Sequence, residues 1–155
     1  MRRIGLLCCF ILCGSLTAHC VVVQEKSGGG AGDEISKLIG DGSGESVCTD
    51  KEKFPACNDE QVVYHVVATS GKSDTVTITA DKIVNGKRVT KGAFDFVYDV
   101  RKQTLTSEVK NSRGNIIFEL AVGGDTLEGT LSTLPDKAIV RRIKVKKNER
   151  TDGAT

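Results

Sequence analysis

The chain has 155 residues, enough for one domain with additional tail segments. It carries 22 Lys and Arg against 20 Asp and Glu, and loss of Arg2 and Arg3 with a cleaved leader would leave 20 of each sign. This balance argues against a nucleic-acid or anionic-membrane surface built from bulk charge. Seventeen glycines, two prolines and no tryptophan favour a loop-rich β protein with a modest core.

The N-terminus has the pattern of an export signal. Arg2 and Arg3 form a positive region, Ile4 to Leu12 form a short apolar run, and small residues follow at 14, 15, 17 and 18. The apolar run is too short to span a bilayer. We therefore predict a signal peptide at residues 1–20, cleaved after Ala18 or after Cys20, and a periplasmic or extracellular protein.

A lipid anchor on Cys20 is the alternative to simple secretion. The segment LTAHC, which ends at Cys20, resembles a bacterial lipoprotein box. It departs from that pattern at Thr17, where an aliphatic residue belongs, and at His19, where a small residue belongs. We therefore favour a cleaved chain without a lipid, and expect membrane contact only through the N-terminus if Cys20 is lipidated.

Two cysteines remain beyond the predicted leader and its border, Cys48 and Cys57. In an exported chain, two cysteines nine positions apart predict one disulfide that closes a small loop. Chain entropy gives such a bond a contribution of about 2–3 kcal/mol. A metal site is the alternative, but no histidine or second cysteine pair stands nearby. We therefore expect a disulfide loop over residues 48–57, with no metal and no cofactor.

Residues 21–47 have the composition of a flexible linker, since seven glycines fall between Ser27 and Ser46. Within this linker, Asp33 to Ile39 has the pattern of one or two helical turns with Asp33 as the N-cap. The polar segment 148–155 predicts a disordered tail. The folded domain is therefore expected between residues 48 and 147.

From Gln61 onward, apolar and polar residues alternate and turn residues recur at intervals. The pattern predicts seven strands, at Gln61–Thr69, Asp74–Val84, Arg88–Val100, Thr104–Lys110, Asn115–Val122, Thr126–Thr133 and Lys137–Lys147. Asn85 and Gly86 mark a type I′ hairpin, because both accept positive φ, and Gly92 invites a bulge or bend. Short loops force antiparallel neighbours. The predicted fold is an all-β, antiparallel up-and-down meander forming a small barrel or half-barrel, with a two-sheet β-sandwich as the alternative.

The last predicted strand places Arg141 in a row of apolar side chains with Ile139, Ile143 and Val145. A guanidinium in that position needs a carboxylate or hydrogen-bond partners, because an unpaired buried charge is very costly. One interpretation is an anchor for the acidic head of an apolar ligand inside the barrel. The other is an arginine near the rim that reaches water or pairs with a structural acid.

The hairpin from Gly124 to Lys146 also carries a family resemblance. Its Gly-Asp-x-Leu-x-x-Thr-Leu segment, followed by a turn and Arg141, resembles the C-terminal hairpin of intracellular fatty-acid-binding proteins and, more broadly, the calycin group that includes the lipocalins. The resemblance implies a meander barrel in which the arginine binds a ligand carboxylate. Ile143 stands where that family has tyrosine, and the Gly-x-Trp signature of lipocalins is absent. The chain also resembles small exported bacterial β proteins of unassigned function. The ligand-binding residues predicted on this basis are Arg141, Ile143, Phe96, Tyr98 and Phe118.

Two further candidates have plainer interpretations. His65 lies in the middle of a predicted strand, with no Ser, Cys or Asp at a recognisable catalytic spacing. Asp95 and Asp99 share one strand face, but they lack the loop geometry and additional oxygen ligands of calcium sites. We therefore assign no catalytic and no metal-binding residues, and we do not expect an enzyme.

These observations predict an exported, non-catalytic β-domain that binds a small apolar or amphiphilic ligand at the cell envelope. A ligand held inside the barrel would require an internal apolar void. The alternative is a protein-interaction or inhibitor module that contacts an envelope or host protein through a sheet face or the Cys48–Cys57 loop. Nucleic acid is not an expected partner.

Overall fold

The computed structural model describes residues 31–112 and 114–149. They form one helix and eight strands: α1 (Ala31–Leu38), β1 (Gly40–Cys48), β2 (Glu60–Ala68), β3 (Thr75–Val84), β4 (Lys87–Asp99), β5 (Thr104–Asn111), β6 (Gly114–Gly123), β7 (Thr126–Leu134) and β8 (Ile139–Lys147). The predicted signal peptide, the first ten residues of the predicted linker and most of the predicted tail lie outside the described residues.

The eight strands form a closed antiparallel barrel. Each strand pairs with the next one in the chain, and β1 pairs with β8 to complete the circle. The Asn85-Gly86 turn between β3 and β4 has positive φ at both residues, 51° and 75°, as the type I′ prediction requires. The predicted all-β meander is confirmed, and closure excludes the half-barrel and the two-sheet sandwich. This architecture is compatible with a calycin-like fold.

The prediction of a flexible linker through residue 47 is wrong for residues 31–47, which form α1 and β1. The glycines of β1 meet a packing requirement. A Cβ added to Gly42 would lie 2.7 Å from the Val145 side chain, and a Cβ added to Gly44 would overlap the Lys144 backbone. The strand therefore depends on glycine to approach β8 closely, which is one recognised use of glycine in sheets. It raises the strand count from the predicted seven to eight.

Alternate side chains of the strands point inward and fill the middle of the barrel. The largest fully buried side chains are Phe96, Ile78, Leu105, Leu120, Val76 and Val145. Helix α1 covers one end, where Ile35 and Leu38 pack into the same core. The ammonium of Lys147 donates a hydrogen bond of 2.8 Å to the carbonyl of Lys37 in the last turn of α1, a favourable place for a cation.

The up-and-down path gives the barrel two different ends. The closed end carries α1 and the turns that follow β2, β4 and β6. The open end carries the Cys48–Cys57 loop, the β3–β4 hairpin and the turns after β5 and β7. Among the described residues, no helix has the length and apolar character needed to cross a membrane.

Candidate functional site

Near its open end the barrel has a group of inward-facing apolar side chains, which we call the mouth. Its lining side chains are only half-buried, whereas Phe96 and Leu105 beneath them are fully buried. The ring of Phe118 packs at 5.4 Å from Phe94 and at 5.6 Å from Phe96, between centroids. The half-buried apolar residues of the mouth are Phe94, Val109, Ile116, Phe118 and Leu131.

The ladder between β4 and β5 is short and does not reach the mouth. β4 pairs with β5 at only three positions, and Val97 opposite Thr106 is the pair nearest the open end. From Phe96 back to Lys87, β4 therefore has β3 as its strand neighbour and no ladder to β5. The half-buried ring of Phe94 lies on this stretch, which has no ladder pairs to β5.

Three cations converge on one carboxylate at the mouth. Glu60, the first residue of β2, lies 3.4 Å from Arg141, 3.4 Å from Lys91 and 3.8 Å from Lys82, between nitrogen and oxygen atoms. The side chains of Glu60 and Arg141 are 15% and 14% exposed. Three positive charges around one negative charge leave a surplus of two positive charges among these four residues.

Arg141 lies where strand alternation predicted, on the inward face of β8. Its Nη1 donates to both the carbonyl and the hydroxyl of Ser46 at 3.2 Å, in addition to its ion pair with Glu60. These partners satisfy the guanidinium without a ligand, in agreement with pairing to a structural acid. A role in anchoring a ligand stays a prediction.

A β-bulge aims Lys91 at the cluster. The register of β3 with β4 shifts between Ala80 and Asp81, which pair with Gly92 and Thr90 and leave Lys91 as the extra residue. A bulge changes the direction of the side chain that it carries, and here the ammonium of Lys91 reaches Glu60. The irregularity predicted at Gly92 is therefore present, and it supplies one of the three cations.

Tyr64 lies beneath this cluster on the inner face of β2. Burial raises the pKa of its hydroxyl to about 12, with Glu60 also raising the pKa and Arg141 lowering it. The side chain is therefore a neutral phenol at physiological pH, able to donate or accept one hydrogen bond without adding charge. The charge of the mouth is set by its three cations and its one acid.

The structure separates the five residues predicted to bind ligand. Arg141 and Phe118 belong to the mouth. Ile143 and Phe96 are buried in the packed layer below it. Tyr98 lies near the closed end, where burial and then Glu34 of α1 raise the pKa of its hydroxyl.

Sequence reasoning missed three residues of the cluster, Glu60, Lys82 and Lys91. A signal existed for Lys82, because it continues the inward row of Ile78 and Ala80 along β3. Glu60 precedes the strand that was predicted from the apolar run, and the direction of Lys91 depends on the bulge. Their convergence with Arg141 follows from closure of the barrel through β1.

A small cavity lies at the closed end of the barrel. The cavity between α1 and the barrel, lined in part by Leu38, Tyr64, Val66 and Val145, has a volume of about 20 Å³. That is room for about one water molecule, whereas small-molecule sites usually occupy several hundred Å³. This cavity therefore cannot serve as the internal void expected for a ligand held within the barrel.

His65 lies on the outer surface between two aspartates. Its Nδ1 is 2.7 Å from Asp41 on β1, and its Nε2 is 3.3 Å from Asp81 on β3. The Thr90 hydroxyl donates to the other oxygen of Asp81 at 2.7 Å. This hydroxyl, and then His65, hold the pKa of Asp81 below its ordinary value. The cluster links four strands, β1 to β4, in agreement with a structural histidine.

The two aspartates of β4 are also engaged by neighbours. Asp95 accepts hydrogen bonds from Thr77 at 2.8 Å and Lys72 at 3.1 Å. Asp99 accepts from the backbone N–H groups of Arg101 and Lys102 in the turn after β4. Within residues 31–112 and 114–149, no group of three or more His, Cys, Asp or Glu side chains is arranged to hold a metal ion.

The predicted disulfide between Cys48 and Cys57 is present and closes the loop between β1 and β2. The loop is further fixed by Asp59, which accepts a hydrogen bond from the Cys48 backbone at 2.9 Å and pairs with Lys51 at 3.0 Å. Lys53 lies 3.7 Å from Asp136 of the β7–β8 turn. The loop is thus stapled at its base and its charges are largely paired, and the disulfide is compatible with an oxidising compartment.

No protein-family model and no curated protein matches the chain.

Proposed function

We propose that this chain is an exported, non-catalytic β-barrel domain that binds a small anionic amphiphile at its mouth, at the cell envelope. The observation that carries the proposal is the convergence of three cations on one carboxylate beside half-exposed aromatic rings. A surplus of positive charge beside partly exposed apolar side chains favours a ligand with a negative head and an apolar body.

In this proposal the ligand lies at the mouth. Its head shares the donors of Arg141, Lys82 and Lys91, and its apolar part covers Phe94 and Phe118. Hydrogen bonds between ionised partners contribute about 1.5–3 kcal/mol each, and each buried methylene adds about 0.8 kcal/mol. The packed layer below the mouth limits how far the apolar part can enter, so the tail lies along the mouth and the stretch of β4 that has no ladder to β5.

The protein-interaction alternative remains a prediction for the Cys48–Cys57 loop. The loop is exposed, which suits recognition by a partner, but its charged side chains pair within the domain. This pairing favours a structural role for the loop, and we place the ligand site at the mouth.

The test is isothermal titration calorimetry of the full chain with dodecanoate, kept monomeric, and with acetate. The double variant Lys82→Gln with Lys91→Gln should bind dodecanoate at least about tenfold more weakly, since one charge-assisted hydrogen bond is worth ~1.5 kcal/mol. The matched control, Arg101→Gln with Lys102→Gln, removes two cations from the closed end and should bind as the wild type does. Acetate should bind far more weakly than dodecanoate. Equal losses in both double variants would contradict the proposal.

A further inference from the structure

The β3–β4 hairpin extends beyond the barrel wall at the open end. On one side, the β2 ladder to β3 ends at Val62 opposite Lys82. On the other side, the ladder to β5 ends at Val97. The segment 83–89 therefore pairs only within its own hairpin, and we call it the arm.

The arm is rich in cations and also exposes valines. The sequence from Lys82 to Lys91, KIVNGKRVTK, contains four cations and no acid. Lys87 and Arg88 lie in the arm, and Lys82 and Lys91, which flank it, pair with Glu60. Val84 and Val89 are 39% and 44% exposed. No carboxylate of a described residue lies within ion-pairing distance of Lys87 or Arg88, and Arg88 contacts His65 at 3.4 Å instead.

One face of the arm continues the inner surface of the barrel. Val84 lies opposite Lys87, and Lys82 lies opposite Val89, so these four residues share a face. Lys82 is also a member of the mouth cluster. A single surface of cations and apolar side chains thus runs from the mouth to the tip of the hairpin.

We propose that the arm docks on the surface of an anionic lipid bilayer and that the mouth takes its amphiphile from that surface. Val84 and Val89 enter the headgroup region at the tip, while Lys87 on the same face and Arg88 on the opposite face contact anionic headgroups, as in basic amphipathic segments that bind membranes. The transfer of ligand rests on the proposed function, whereas the docking rests on the arm alone. This contact is separate from the N-terminal lipid predicted as an alternative from the sequence.

The experiment is cosedimentation of the full chain with vesicles of phosphatidylcholine, with and without phosphatidylglycerol. Lys87→Gln with Arg88→Gln removes two exposed cations of the arm, and Arg101→Gln with Lys102→Gln removes two from the closed end. Each basic residue near an anionic bilayer contributes about a fivefold gain in binding. The arm variant should therefore bind anionic vesicles about thirtyfold more weakly, and the closed-end variant should bind as the wild type does.

A third variant, Val84→Ser, separates apolar insertion from charge. It should weaken vesicle binding while leaving the cations in place. Each variant should unfold thermally close to the wild type, because the substituted side chains are exposed and Arg88 loses only a long contact of 3.4 Å with His65. The proposal would be overturned if the arm and closed-end variants lost the same binding, or if the wild type bound neutral vesicles as well as anionic ones. Binding to polyglutamate without binding to vesicles would also overturn it, in favour of an acidic polypeptide partner.

Dodecanoate binding and vesicle binding test the two proposals independently. The arm variant should bind monomeric dodecanoate with wild-type affinity, because neither Lys87 nor Arg88 belongs to the mouth cluster. Arm-dependent vesicle binding without dodecanoate binding would support docking and refute the proposed function. Dodecanoate binding that depends on the mouth, without vesicle binding, would support the proposed function and refute docking.

Discussion

Under the proposed function, Glu60 has two opposing effects: it stabilises the three mouth cations, and it repels an anionic ligand. Replacing Glu60 with glutamine removes the only acid of the cluster and keeps the side-chain volume. We therefore expect Glu60→Gln to lower the stability of the domain and, at the same time, to raise its affinity for an anionic amphiphile. A purely structural cluster would show only the first effect.

The magnitudes follow from the geometry. At 3.4 Å and an effective dielectric constant of about 20, a unit charge pair interacts by ~5 kcal/mol. Water screens this cluster because Lys91 is 45% exposed, and pairs at exposed sites contribute about 0–1 kcal/mol. Arg141 keeps its two hydrogen bonds to Ser46. We therefore expect a stability loss of about 1–3 kcal/mol and an affinity gain of about five- to thirtyfold, or ~1–2 kcal/mol.

The assay combines urea unfolding with calorimetric titration of dodecanoate into the wild type and two variants. Glu108→Gln is the matched control, because Glu108 is an exposed acid on the outer face whose ion pair is with Lys110 at 3.7 Å. It should change neither stability nor affinity by more than ~0.5 kcal/mol. Unchanged or weakened dodecanoate binding by Glu60→Gln would refute the assignment of the mouth cations as the headgroup site.

Three further predictions concern stability. Gly129→Ala should lower the free energy of unfolding in urea by about 1–3 kcal/mol, because its Cβ would overlap the β6 backbone. The control is Gly32→Ala in α1, where a Cβ meets nothing within 4 Å and should not lower that free energy. An unchanged stability of Gly129→Ala would contradict the close approach of β6 and β7. Reduction of the disulfide should lower the free energy of unfolding by about 2–3 kcal/mol, seen as a lower thermal midpoint under dithiothreitol. An unchanged midpoint would show that the disulfide does not stabilise the domain. The pKa of folded Asp81 lies below its unfolded value, so its stabilisation is present above about pH 4 and is lost as the pH falls through the folded pKa. Thr90→Val removes the main cause of that shift and should destabilise the domain near neutral pH but less at ~pH 3; an equal loss at both pH values would argue against this linkage.

The strands after residue 60 could be predicted because each one buries a single face. The alternation of apolar and polar residues placed all seven of those strands within two residues of their observed bounds. β1 was missed for the opposite reason. Its inward positions include Gly42 and Gly44, which give no apolar signal, and the need for glycine there arises from the position of β8. Composition alone cannot distinguish a glycine that permits close packing from one that permits flexibility.

The candidate site was only partly visible in the sequence. The inward direction of Arg141 followed from strand parity, and the structure agrees. Its acidic partner was not predictable, because Glu60 meets it only after β1 pairs with both β2 and β8. Lys91 reaches the cluster through a bulge, which breaks the parity on which the prediction relied. A site assembled by closure and by an irregularity therefore requires the three-dimensional structure.

The most direct test of a ligand site at the mouth is a nuclear magnetic resonance titration of the isotope-labelled full chain with monomeric dodecanoate. We expect saturable chemical-shift changes centred on Phe94, Phe118 and Arg141, with little change near the closed end. Changes centred on Tyr98 and the space beneath α1, with the mouth unaffected, would contradict it.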